Sequence, residues 1–228
     1  MSDSIIDEED DDALYISMSF DAKMVRLIGT SFLPVKMKIR ADVNPEADMS
    51  EEDVSIALMK IRFYFDNIVS KGVAFSFDNE EAMAILINEA GRNRTGNVLM
   101  ITPGEPTDEV LATLFQAKMG ALSGGRIEFS LVEVKSDNQH GLAFIFVGNG
   151  ARMLPTMEQW IGKRSFFTLP WWSRDDASTL DVIPPENADL SVKPPWAFSL
   201  DGIGAMTKAS EVEVVRPSFR PTVIPGGK

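Results

Sequence analysis

The sequence predicts an α/β or α+β domain, a mixed sheet with helices packed on it, followed by an extended arm rich in proline and tryptophan. Three observations carry this. Stretches in which every second residue is apolar are interleaved with stretches of three-to-four-residue apolar spacing, the pattern of strands alternating with helices laid over a sheet. Glycine or proline marks most of the switches between them. Past residue 165 both periodicities fade, and seven of the thirteen prolines fall between Pro184 and Pro225. The chain therefore divides into an acidic tail (1–12), a domain (13–165) and an arm (166–228).

The first strands are expected over 14–20 (LYISMSF) and 32–43 (FLPVKMKIRADV). In the second, Val35, Met37 and Ile39 alternate with Lys36, Lys38 and Arg40, which makes a half-exposed strand with a basic outer face. A helix over 51–70 follows, opened by Ser50 and Asp53 at capping-box spacing, with Glu51 and Glu52 suited to the positive end of its dipole. Its core stripe is Val54, Leu58, Ile61, Phe65 and Ile68. A second stripe, Ile56, Met59 and Phe63, runs along the far side, so the helix is either sandwiched within its own domain or offers that stripe to another chain.

Next come a short strand at 73–77, a helix capped by Asp78 and Glu81 and ending at Gly91, a strand at 97–102, and a helix to Leu122 stopped by two glycines. RIEFSLVEV and LAFIFV then read as an antiparallel hairpin. In its first arm the apolar alternation slips between Leu131 and Val132, the mark of a bulge. The second arm, Leu142 to Val147, is apolar throughout and is expected to be a central strand covered on both faces. One short helix is allowed near Pro155.

Composition excludes several chemistries. The 228 residues include no cysteine, which removes disulfides, thiol nucleophiles and cysteine-held metal centres. The net charge is −12, and residues 1–12 alone hold seven acidic side chains and no basic one. Such a tail is either solvated or seeks a basic surface, and the remainder lacks the Lys/Arg excess that binding to a nucleic-acid backbone requires. No apolar run approaches the about 20 residues of a membrane span, and the N-terminus is acidic rather than leader-like, which leads to the expectation of a cytoplasmic protein or part of an assembled particle.

Motif tests fail one by one. The loop Pro103 to Asp108 leaves a strand and enters a helix, the usual place for a ligand, but Glu105, Asp108 and Glu109 repel anions and fit a helix cap instead. Gly148 and Gly150 lack the third glycine of a dinucleotide loop and are read as turn glycines, and GIGAMTK at 202–208 lacks the spacing of a phosphate loop. His140 is the only histidine and lies in a polar loop without a nucleophile elbow. No catalytic, cofactor-binding or metal-ligating residue is assigned, and no cofactor is expected.

All four tryptophans lie in the last third of the chain, and SFFTLPWWSRDD joins several aromatic rings to a charge cluster. The reading that results is a non-catalytic structural or adaptor subunit of a larger assembly, of the kind phages and secretion machines build, docking through its arm. Its partner-binding residues are Phe166, Phe167, Trp171, Trp172 and Trp196, with Ile56, Met59 and Phe63 as a second contact. The alternative is a hydrolase acting through Asp175 and Asp176 beside those rings, or through Glu105 and Asp108.

Overall fold

Alternation along the sequence becomes alternation across a sheet. A computed structural model describes residues 16–84, 98–162, 165–181, 191, 193–194 and 196–203. The acidic tail, the helix end at Gly91 and Pro184, Pro185, Pro195, Pro217, Pro221 and Pro225 lie outside the described residues. Strand β1 (Ile16–Ile28) and strand β2 (Ser31–Pro45) form a long antiparallel hairpin turned at Gly29, whose φ of 57° favours glycine. Met18, Phe20, Ala22 and Met24 face inward opposite Ala41, Ile39, Met37 and Val35, while Lys36, Lys38 and Arg40 face out, as the alternation requires. Strand β1 runs beyond the expected 14–20 because its inward positions continue through Ala22 and Arg26, a small and a charged residue that hide the apolar pattern.

Helix α1 (Glu51–Asn67) begins at Ser50, whose side chain accepts from the Asp53 backbone N–H, and ends in a 3-10 turn (Val69–Lys71). It leads into strand β3 (Gly72–Ser76), parallel to β1. Helical turns start at residue 80, capped by Asn79, which accepts from the Ala82 N–H at 3.0 Å, one residue later than the expected Asp78 cap. Strand β4 (Val98–Thr102) lies parallel to β3, and helix α2 (Asp108–Leu122) starts at Thr107, which accepts from the Val110 N–H. Strands β5 (Ile127–Ser136) and β6 (Phe144–Val147) form the expected antiparallel hairpin, followed by the single turns α3 (Gly150–Met153) and α4 (Met157–Trp160). The β5 register on β2 shifts between Asp42 and Val43, placing a bulge at Ser130 beside the slip in the sequence.

The fold is α+β: one mixed sheet of six strands, in the order β4-β3-β1-β2-β5-β6, with helices packed on it. Phe20 stacks on Phe65 of α1 at 4.4 Å, and Phe65 meets Phe115 of α2 edge-on at 5.1 Å, so both helices share the inward face. One expectation is corrected. Strand β6 is an edge strand, not a central one, and Ile145 and Val147 are exposed on its outer side. Uniform hydrophobicity there cannot mean two covered faces, since β5 is its only strand neighbour among the described residues and only Phe146 is buried.

Two glycines of the failed dinucleotide motif serve different ends. Gly148 has a φ of 133°, which a side chain would strain. Gly150 has ordinary φ but lies against α2, where an added Cβ would collide with the Thr113 carbonyl, and its N–H donates to Gln116 Oε1 at 2.7 Å. His140 is an exposed turn residue with a φ of 50°.

Candidate functional site: the seat of the C-terminal arm

The chain from residue 165 to 181 returns to the domain and joins its core. Pro170 leads into a 3-10 turn, Trp171–Ser173, that packs against α2. Trp171 and Trp172 point different ways, as neighbours must, and both are fully buried by the chain's own atoms. The Trp171 indole donates to the Ile101 carbonyl of β4 at 2.9 Å. Trp172 meets Trp160 edge-on at 5.0 Å, and Trp160 lies against Phe77 at 4.8 Å. The segment then covers the edge of β4: the Ile101 N–H donates to the Thr179 carbonyl at 3.0 Å, and the Thr179 hydroxyl donates to the Leu99 carbonyl at 2.6 Å.

A buried ionic network fastens this segment. Lys118, in the middle of α2, has no exposed surface, and its ammonium donates to the carbonyls of Trp171 at 3.0 Å, Arg174 at 2.7 Å and Asp176 at 2.7 Å. It also lies 4.0 Å from the Asp176 carboxylate and 5.1 Å from the centre of the Tyr64 ring. Arg174 pairs with Asp181 at 2.5 Å and with Asp176 at 3.4 Å, and it stacks over Phe167 at 3.6 Å. Asp181 in turn accepts from the Trp160 indole at 3.1 Å and the Trp171 backbone at 2.9 Å. The Ser178 hydroxyl donates to Asp176, and the Tyr64 hydroxyl donates to the Ser178 carbonyl at 3.3 Å.

Burial sets the electrostatics. It pushes Lys118 from 10.5 down to about 7, against the pull of Asp176. Burial also raises the Asp181 carboxyl, against Arg174, and lifts the Tyr64 hydroxyl well above its ordinary value with help from Asp176. For Asp176 burial acts upward too, but the hydrogen bonds from Ser178 and the charge of Lys118 outweigh it and hold the carboxyl low. A pH dependence follows. Unfolded Lys118 keeps its proton up to about 10.5 while the folded one releases it near about 7, so between those values the unfolded chain binds more protons and stability rises with pH. Tyr64 acts oppositely above about 10, where the unfolded phenol ionises and the folded one does not. Thermal melts should therefore rise from neutral pH toward 10 and fall beyond it. Direct titration of the Lys118 Cε resonance tests the cause: a midpoint at 10.5 would contradict it.

A second buried network lies at the start of α2. Arg26 of β1 pairs with Asp108 at 2.6 Å and donates to the Ser136 hydroxyl of β5 at 2.8 Å, and that hydroxyl donates to Asp108 at 2.5 Å. The carboxylates of the hydrolase reading are thereby parted. Asp108 and Asp176 are buried in ion pairs, while Glu105 and Asp175 are exposed. Among the described residues no cluster of three His, Asp or Glu side chains is placed to hold a metal ion, and no helix is long and apolar enough to cross a membrane.

The remaining expected contact residues keep part of their surface. Phe166 and Phe167 meet edge-on at 5.0 Å, Phe167 lies 5.6 Å from Trp196, and all three are half-buried. Ile56, Met59 and Phe63 are also half-buried on α1, with Phe63 packed against the core. Sequence reading missed Lys118, Arg26, Tyr64, Trp160 and Asp181, the groups that seat the arm. No protein-family model matches the chain, and no curated protein matches its sequence.

Proposed function

We propose that the chain is a non-catalytic structural or adaptor subunit of a larger protein assembly, joined to it through the outer side of its C-terminal arm. One observation carries the reading: the arm buries Arg174, Asp176 and Asp181 while it leaves two large apolar side chains, Leu169 and Phe198, in the open. Leu169 is 53% and Phe198 48% exposed, each two positions from a member of the half-buried Phe166, Phe167 and Trp196 group. A segment that existed only to close the β4 edge would place such residues inside, because ordering large apolar side chains at a surface gains nothing unless something covers them. The inner network serves this role by fixing the backbone beneath the patch, so that a partner meets a preorganised surface.

The contact on this reading is the aromatic group with Leu169 and Phe198. Trp171 and Trp172 are buried in the core, and Ile56, Met59 and Phe63 lie on α1, whose Lys60 pairs with Asp201 of the arm at 2.5 Å. Removing the arm is an unsuitable test, since it would strip Trp171 and Trp172 from the core. The paired substitution Leu169→Ser and Phe198→Ser leaves the inner network whole and is expected to change stability by no more than about 1 kcal/mol. Co-purification from the native source with quantitative mass spectrometry should then show loss of the partner carried by the wild type. A variant that retains the same partner at the same stoichiometry sinks the reading.

A further inference from the structure

The face of the sheet turned away from the helices carries a basic patch in a chain whose net charge is −12. Lys23 of β1, Lys36, Lys38 and Arg40 of β2 and Lys135 of β5 are all exposed there. The register brings them together: Lys36 stands opposite Lys23, and Lys38 opposite Lys135. Like charges directly opposite one another destabilise a sheet, yet lysine meets lysine twice in adjoining rows. The acids nearby answer this only in part. Arg40 pairs with Asp42 at 3.5 Å and stands opposite Glu133. Asp21 stands opposite Lys38, and the Asp137 carboxylate accepts from the Lys36 backbone N–H at 3.2 Å. Among the described residues none of the four lysines forms an ion pair.

We propose that this patch is the docking surface for the chain's own acidic run Asp7–Asp12, laid across the lysine rows of the same molecule. Charge selects the occupant. Of the longer segments outside the described residues, 85–97 holds one acid and two bases, 182–190 two acids, and 204–228 two acids and four bases. Residues 7–12 are acidic at every position.

Length permits the contact. Lys23 lies seven positions along β1 from Ile16, about 23 Å at about 3.3 Å per residue, and the chain from Asp7 to Ile16 reaches about 30 Å. The run itself extends to about 20 Å, the length of β1 from Ser17 to Lys23. The tether decides between this run and a free acidic chain. Joined to β1 through Ala13, Leu14 and Tyr15, the run is present at an effective concentration on the order of millimolar, which an external chain or a second copy must outcompete. Exposed charge pairs contribute little each, so the contact is a cover sensitive to salt and not a part of the core. Neither the patch nor the run includes a residue of the arm, so the failure of either proposal leaves the other standing.

Because the chain has no cysteine, a nitroxide can be placed through Ser4→Cys alone, beside the acidic run. At about 10 mM salt, where the Debye length is about 30 Å, the label should broaden the backbone amide resonances of Lys36 and Lys38 more strongly than those of α1 on the opposite face. At about 1 M salt, with a Debye length of about 3 Å, that broadening should fall at least about twofold. Lys23→Glu combined with Lys135→Glu should abolish the preference with unchanged circular dichroism, since each new carboxylate then faces a lysine across the ladder. Equal broadening of both faces at low salt overturns the proposal, as does a preference that the double substitution leaves unchanged. Broadening of an isotope-labelled, nitroxide-free chain by a spin-labelled one would place the run on a second copy instead. Displacement by free poly-glutamate at micromolar concentration would give the patch to an external acidic chain, and either result overturns docking within one molecule.

Discussion

Lys118→Met is expected to destabilise the protein by about 3–5 kcal/mol, a large share of what a domain of this size possesses. Methionine matches the length of the lysine stem, so the loss does not come from a cavity. It comes from what the ammonium holds: the carbonyls of Trp171, Arg174 and Asp176 converge on it from a segment that otherwise touches α2 through apolar contacts. With the Lys118 nitrogen gone, three buried acceptors lose their donor at once and, among the described residues, Asp176 keeps Arg174 as its cationic neighbour. The penalty falls first on the arm, not on the sheet. Tryptophan emission should shift to the red in denaturant before the far-ultraviolet signal of the sheet and helices is lost, because Trp171 and Trp172 lie in the segment that lets go. A loss below about 1 kcal/mol, or a single coincident transition for both signals, would show that apolar packing alone seats the arm.

The sheet and its helices were legible where one physical rule acts alone. Val35, Met37 and Ile39 alternate with basic residues because one face of β2 is packed and the other is open. The bulge at Ser130 could be placed because a slipped alternation has no other outlet in a paired strand. Ser50 and Thr107 cap their helices for the local reason that a side-chain oxygen there meets orphan N–H groups. Strand β6 misled because hydrophobicity in every position is shared by central strands and by this edge strand, and nothing within six residues separates the two. The arm was recognised as a docking segment from its tryptophans, but its inward grip depends on contacts more than fifty residues away in sequence, such as Lys118 with Trp171.

The charged residues that seat it did leave a trace. Lys118 occupies a position on α2 three beyond Phe115 and four before Leu122, where the helix is otherwise apolar. Arg26 occupies the inward register of β1 after Met24. A single charge at a core position implies a buried counter-charge, since an isolated one would cost too much to bury. The rule finds that such a partner exists but cannot say which of 34 acidic residues it is. Tertiary structure chooses Asp176 for one and Asp108 for the other, and so ties α2 to the arm near its middle and to the sheet at its start.

Asp108→Ala should accordingly cost about 3–5 kcal/mol, and it should do so by a different route. The Arg26 guanidinium is as buried as any core side chain, and among the described residues its Nε already has no hydrogen-bond partner. Asp108 supplies its only carboxylate within 4.0 Å among those residues, so the alanine variant leaves a charge inside the sheet with little beyond the Ser136 hydroxyl to meet it. The Ser136 backbone N–H, which donates to Asp108 at 3.1 Å, is orphaned as well. Here the sheet and the helix should melt together, because Asp108 joins β1, β5 and α2 and no part can release without the rest. Removing both charges separates this account from simple loss of packing. Arg26→Met combined with Asp108→Ala should recover more than half of the stability lost in Asp108→Ala alone, since the desolvated cation is then absent. Urea titration of the two variants decides it, and a double variant that is no more stable than Asp108→Ala would mean that the carboxylate acts by capping α2 and ordering Ser136, with Arg26 a bystander.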